Sequence, residues 1–259
     1  MRKFQLISDI HLEQRVNIEI KKMADYLILA GDIGYPEQDI FKNFMKINSN
    51  KFKKIFYITG NHEYYQNWKQ STKLKINTIT ETNQIIKNIL AECGDNIYFI
   101  NNDHYDIDEK IRIVGTTLWS NIFSNSLKLS DSFEIYSDDN ELITFDYIRK
   151  LHNENKEFIK KQIQIAKNEN KKLIVCSHHL PSFSLILQEY KEKYPKYVSQ
   201  FASDLDYLIN EPIIVWCAGH SHGFNKLKIN NVDCYINAYG YTKQDRNNAS
   251  LDFTFEIDN

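Results

Sequence analysis

The 259-residue chain is 42% hydrophobic and 25% charged, which excludes a disordered or fibrous protein and fits an ordinary globular one. A formal charge of −2 and a pI near 6.5 argue against the broad basic face of a nucleic-acid binder. No apolar run reaches the ~20 residues needed to cross a bilayer, so no membrane association is expected.

The chain passes from Arg2 and Lys3 directly into a strand-like run at 4–8. It shows no apolar core and no small-residue cleavage site of a secretory signal there, so the cytoplasm is the expected compartment. Further short apolar runs at 26–30, 55–59, 111–114, 173–177 and 213–218 end abruptly in polar residues or glycine. Their length and their β-branched and aromatic content predict strands. Near-continuous apolarity at 27–30 and 213–218 predicts burial on both faces. Helices are predicted at 38–48, 72–92, 145–170 and 182–194. In the third of these, Ile148, Leu151, Phe158, Ile159, Ile163 and Ala166 form an apolar stripe opposite Lys and Glu. The carboxyl-terminal part reads as hairpin-like strands at 226–229, 232–238 and 250–257. Asn230-Asn231 supplies the first turn, because Asn tolerates positive φ. With no repeat and no Pro-, Gly- or Ser-rich linker, residues 1–259 are expected to form one domain. Segment 120–144 breaks the pattern. It is polar and turn-rich, with Phe123, Phe133 and Tyr136 scattered through it, and reads equally as a lid over a site or a solvated insertion. Cys93, Cys176, Cys217 and Cys234 are widely spaced, so free thiols are expected rather than a disulfide.

The placement of histidines carries the chemistry. Six of eight follow strand candidates inside compact polar motifs: His11 in Asp9-Ile10-His11, His62 in Gly60-Asn61-His62-Glu63, His178-His179 after 173–177, and His220 and His222 in Gly219-His220-Ser221-His222. Asp32 follows the strand candidate at 26–30. Strand ends in open α/β sheets converge on ligands, so these groups are expected to meet. A carboxylate is able to bridge two cations ~3.5–4 Å apart, while imidazoles and an amide oxygen complete each shell without cancelling its charge. Extended Asp-x-His and His-x-His place both side chains on one side. Gly31, Gly60 and Gly219 are expected to let the backbone turn tightly there. Any one string recurs by accident; the ordered series of five does not. His104 and His152 fall outside the motifs and suit surface or packing roles.

The strings SDIH, GDIG, GNHE, SHHLP and GHSH, running from Ser8 to His222, resemble the calcineurin-like metallophosphoesterase superfamily. Gly115-Thr116-Thr117-Leu118-Trp119, Ser203-Asp204-Leu205 and Asn237-Ala238-Tyr239-Gly240-Tyr241 extend the resemblance to a small, single-domain bacterial-type branch. That branch closes with Asn-Pro-Arg-Gly-Tyr, and Ala238 and Tyr239 depart from it. The resemblance implies an α/β fold, a four-layer αββα sandwich with two mixed β-sheets flanked by helices. It implies two divalent cations, Mn²⁺, Fe or Zn²⁺. One would take Asp9, His11, Asp32 and His222; the other would take Asp32, Asn61, His178 and His220. The implied reaction is in-line displacement by a metal-bridging hydroxide, with His62 as the proton donor to the leaving oxygen. His179 would orient His178 or reach the substrate. Ile33-Gly34-Tyr35-Pro36 replaces the Asp-Arg-Gly extension of phosphoprotein phosphatases and disfavours that branch.

The expected function is therefore phosphoester hydrolysis on a small-molecule mono- or diester. A metal-dependent nuclease is the enzymatic alternative, disfavoured because no clustered Lys/Arg groove with stacking aromatics is evident. A non-catalytic interaction module on the same fold is the second alternative, disfavoured by the complete ligand set. Nothing in the sequence fixes the oligomeric state.

Overall fold

The computed structural model describes all residues except 16–17, 71–73, 124–130, 132–133, 244–245 and 259. The strands are β1 (Arg2–Ile7), β2 (Tyr26–Ala30), β3 (Lys54–Ile58), β4 (Ile97–Phe99), β5 (Asp103–Asp106), β6 (Ile111–Thr116), β7 (Lys172–Ser177), β8 (Ile213–Ala218), β9 (Gly223–Ile229), β10 (Val232–Ala238) and β11 (Thr254–Ile257). They build one sheet in the order β11-β1-β2-β3-β4 and another in the order β5-β6-β7-β8-β10-β9. Both are mixed: β1 to β4 run parallel with β11 antiparallel at the edge, and β6-β7-β8-β10 run parallel between antiparallel β5 and β9.

Period-two alternation explains why the strands read as continuously apolar. Phe4, Leu6, Ile28, Ala30, Phe56 and Ile58 face Ile113, Ile174, Cys176, Val215 and Cys217 between the sheets. The intervening Leu27, Leu29, Ile55 and Tyr57 face outward, against Phe41, Phe44 and Met45 of α1 (Asp39–Ser49) and Ile86, Ile89 and Leu90 of α3 (Ile79–Cys93). On the far side, Leu173, Val175 and Trp216 pack against Ile159, Ile163 and Ala166 of α4 (Phe145–Asn168). Both faces of each sheet are thus covered, giving the expected αββα layering.

Boundaries differ from expectation where capping intervenes. The helix expected at 72–92 starts at Ile79, because Thr78 and Glu81 form a reciprocal capping box. A separate short α2 (Asn67–Gln70) precedes it, and 71–73 lie outside the described residues. The helix expected at 182–194 is broken. The Ser182 side chain accepts from Ser184 N in a short 3₁₀ turn, and only α5 (Gln188–Lys193) is α-helical, followed by α6 (Val198–Phe201). Strands β4 and β5 were not expected: β4 is short and only partly buried, and β5 (Asp-His-Tyr-Asp) is polar. The Asn230-Asn231 turn is as expected, with φ of 46° and 69° joining β9 to β10. All four cysteines are free. Among the described residues no helix is long and apolar enough to cross a membrane.

The described part of segment 120–144 is divided: Asn121, Phe123 and residues 138–142 are exposed, while others pack inward. Ile122, Ile135 and Ile143 are buried with Tyr64, Tyr65, Trp119 and Ile148, and Gln66 N donates to Glu134 O. Phe133 lies outside the described residues.

Candidate metal centre

Five of the parallel strands deliver the motif residues to one place. Asp9 and His11 follow β1, Asp32 follows β2, Asn61 and His62 follow β3, His178 follows β7, and His220 and His222 follow β8. A bridge between Ser8 and Ala238 joins the two sheets at this end. Ser8 N donates to Asn237 O and Gly240 N to Asp9 O, which lays the closing segment over the cluster.

The local backbone is not the extended chain expected for Asp-x-His. Asp9, His11, Asp32 and His220 have φ of 55°, 52°, 53° and 66°. Left-handed non-glycine residues are strained, and their clustering marks a site whose surroundings over-determine the conformation. After β1, β2 and β8, side-chain convergence therefore comes from sharp left-handed turns, not from strand alternation. Gly60 is required for a related reason. A Cβ there would stand 2.6 Å from His178 Nε2, so close approach of the β3 turn demands glycine.

The first predicted ligand set is assembled closely. His11 Nε2 and His222 Nε2 face each other at 3.3 Å, and His222 Nε2 lies 3.5 Å from Asp9 Oδ1. His11 Nε2 is 4.0 Å from Asp9 Oδ1 and 3.9 Å from Asp32 Oδ2. Asp9 Oδ1 is buried without a hydrogen-bond partner, whereas Oδ2 accepts from Ser8 Oγ and His220 N. A buried, unpartnered carboxylate oxygen aimed at two imidazole nitrogens fits a divalent cation, whose bonds of about 2.0–2.2 Å set neighbouring donors only slightly closer than this. In the second set, His178 Nε2 lies 3.4 Å from Asp32 Oδ2 and 3.2 Å from Asn61 Oδ1. His220 joins His178 and His179, with their ligand atoms all within 4.8 Å of one another. Asp32 Oδ2 thus stands between His11 of one set and His178 of the other.

Electrostatics follow from this crowding. Burial works against the ionised form of Asp32, but the neighbouring imidazoles, His178 foremost, hold its pKa well below the carboxylate range. Asp9 is likewise disfavoured by burial, yet His222 and His178 bring it to about 2. Burial alone would lower His178; Asp32 reverses that and lifts it to about 10. Burial dominates at His220, which falls to about 3. His178 Nδ1 is oriented by Ala30 O at 2.9 Å, so Nε2 is the atom a cation would take. With the His178 pKa raised to about 10, cation uptake at that nitrogen would have to expel a proton. Affinity for Mn²⁺ is expected to rise with pH toward that value. Calorimetry at pH 8 in buffers of different ionisation enthalpy should register proton release, and buffer-independent heats would contradict it.

Several site residues carried no role in the sequence reading. Glu13 Oε1 lies 3.1 Å from His11 Nδ1 and fixes which nitrogen faces the cluster. Glu63 accepts from the backbone N–H groups of Asp32, Ile33 and Gly60, tying the turns after β2 and β3 together. Asp131, from the irregular segment, accepts from Asn61 Nδ2 at 3.0 Å and from Tyr65 OH at 2.6 Å, turning Asn61 Oδ1 toward His178. Glu63 had a signal in its GNHE string; Asp131 had none. Removing the amide's partner in Asp131→Ala is expected to weaken cation binding about 10–100-fold, the usual cost of losing an outer partner. Metal titration of the folded variant checks this.

His62 lines the cavity, with Nε2 3.0 Å from Tyr241 OH and its ring stacked on Tyr65. Burial brings its pKa down to about 4. Tyr241 also lies over His11, ring centroids 4.2 Å apart. Tyr239, where the resembled branch has Arg, is instead covered by guanidiniums, with Arg15 at 4.9 Å and Arg246 at 3.9 Å from its ring. His179 meets the His178 ring edge-on at 5.3 Å, packs against His220 and Trp119 and lines the cavity. His104 is exposed on β5, and His152 is buried in α4 with Nδ1 3.1 Å from Leu118 O, as a surface and a packing residue respectively.

Two mixed sheets carrying clustered Asp, Asn and His at their strand ends define the metallophosphoesterase class. The chain belongs to the calcineurin-like phosphoesterase family, which matches residues 2–224. It is 35% identical over 285 residues to Uncharacterized protein L509 of Acanthamoeba polyphaga mimivirus, an alignment spanning 100% of this chain and 98% of that protein. Its fold is similar to that of Phosphopantetheinyl Hydrolase (PptH) from Mycobacterium tuberculosis, with a TM-score of 0.67 at 15% identity over 93% of this chain and 90% of that one. TT1561 of Thermus thermophilus is similar at a TM-score of 0.52, with 11% identity over 92% and 89% of the two chains. The family makes this protein a metal-dependent phosphoester hydrolase.

Proposed function

We propose that residues 1–259 act as one catalytic domain that hydrolyses a small-molecule phosphate ester with two divalent cations. Asp9, His11, Asp32 and His222 would hold one cation, and Asp32, Asn61, His178 and His220 the other. Mn²⁺, Fe and Zn²⁺ all suit this mixed nitrogen and oxygen donor set. The observation that carries the reading is the position of Asp32 Oδ2 between the two groups, 3.9 Å from His11 Nε2 and 3.4 Å from His178 Nε2. Bound cations would supply Lewis acidity toward a phosphoryl oxygen and lower the pKa of water. The protein's own groups do the rest. Glu13 and the Ala30 carbonyl keep His11 and His178 in the tautomers that direct Nε2 inward. Asp131 and Tyr65 hold the Asn61 amide. His62, which lines the cavity, would pass a proton from Nε2 to the leaving oxygen.

Alcohol release from alkyl mono- and diesters, assayed with Mn²⁺, Fe²⁺ or Zn²⁺, tests the reading; inorganic phosphate accompanies it only for the monoesters. Hydrolysis that disappears with chelator and returns with metal supports it; inactivity of folded, metal-loaded protein on every ester would sink it. A nuclease reading would need cleavage of single- or double-stranded DNA or RNA in the same assay.

A further inference from the structure

Beside the cluster lies a cavity of about 460 Å³, within the ~300–1,000 Å³ of small-molecule sites. One wall is a continuous series of rings leading away from the metal centre. His220 lies 5.6 Å from Phe201, Phe201 meets Tyr190 edge-on at 5.7 Å, and Tyr194 follows at 6.5 Å from Phe201 and 6.1 Å from Tyr190. Phe201, Tyr190 and Tyr194 all line the cavity together with His220.

These rings are not simply core. Tyr190 and Phe201 pack against the hydrophobic cluster beneath the second sheet yet remain only partly buried, and Tyr194 is 36% exposed. Tyr190 and Phe201 are anchored by that packing, and each of the three keeps part of its surface accessible. Lys193 Nζ stands 5.1 Å over the Tyr194 ring. The polar side chain of Gln200 lines the same cavity, and Ser120 on the neighbouring wall donates to its main-chain oxygen. Rings held rigidly by packing offer stacking area at little entropic cost. An aliphatic alcohol gains little from such a wall, whereas a planar ring system gains about 1–3 kcal/mol per stacked base in nucleotide-binding sites, or roughly 5- to 150-fold.

We propose that Phe201 and Tyr190, extended by Tyr194, form the subsite for a planar aromatic group of the substrate. The substrate class is thereby a phosphate ester whose organic part carries a nucleobase-like ring. This rests on the phosphoesterase reading above for the position of the phosphate, and on the ring wall alone for the organic part. The phosphate lies at the Asp and His cluster, and the ring reaches outward past His220 onto α5 and α6.

Calorimetric binding to the metal-loaded protein tests the subsite without requiring turnover. Adenosine 5′-monophosphate and glycerol 3-phosphate present the same kind of phosphate on an aromatic and a non-aromatic body. The adenosine ester is expected to bind at least about ten-fold tighter. In the Phe201→Leu/Tyr190→Leu double variant that ratio should fall to about two-fold or less. Phe201→Trp, which keeps an aromatic face, should preserve it and controls for misfolding. Equal affinities in the unaltered protein, binding of neither ester, or a ratio unchanged in the double variant would overturn the proposal. Turnover measured alongside separates the two readings. Hydrolysis of both esters without preference removes the subsite and keeps the hydrolase, whereas preferential binding without hydrolysis under any metal keeps the subsite and removes the hydrolase.

Discussion

Asp32→Asn is expected to reduce turnover by about 10³-fold or more, exceeding the ~10–100-fold that loss of an outer metal partner costs. The carboxylate is buried, ionised by its imidazole neighbours, and within 4.0 Å of nitrogens from His11, His62 and His178. An amide of nearly the same shape keeps the acceptor for the His62 N–H, now made by Asp32 Oδ1 at 2.9 Å, so the turn should persist. What disappears is the negative charge shared by both ligand groups. Elemental analysis should then find fewer than two cations per chain, while thermal unfolding remains cooperative. A variant that holds both metals and turns over normally would refute the bridging assignment.

His62→Ala should slow turnover by about 10²- to 10⁴-fold, the range for removal of a general acid, with metal content unchanged. The side chain contributes to neither ligand group proposed here, and its backbone N–H, which serves Asp32, survives the substitution. In the free protein the imidazole is neutral at pH 7, because burial holds its pKa at about 4. A phosphoryl anion beside it would favour the charged form and raise that value, so the proton would be acquired with the substrate. The readout that separates proton donation from mere positioning is the leaving group. The deficit should be large for esters of simple alcohols and shrink for those of acidic phenols, which depart without a proton. If the variant instead loses its metals, His62 is a ligand and the assignment is wrong.

Much of the architecture was legible because buried parallel strands are short, apolar on both faces and bounded by polar motifs. β2 and β8 match the expected 26–30 and 213–218. Other boundaries depended on side-chain caps. The Thr78 and Glu81 capping box was present in the sequence, but the apolar pattern around it suggested one longer helix. β5 was hidden because an exposed edge strand needs no apolar face.

By itself the sequence determined the family resemblance, which implies the two-sheet layering, and the identity of the converging residues, since each motif sits at a strand end and parallel strands end together. Only the tertiary structure decided how they converge: through left-handed turns at Asp9, His11, Asp32 and His220, not strand alternation. It also brought in Asp131, seventy positions from Asn61, and the ring wall of Tyr190, Tyr194 and Phe201. Local patterning encodes which residues enter a strand or helix. Contacts between distant loops depend on how the strands bearing them pack, and leave no periodic trace in the chain.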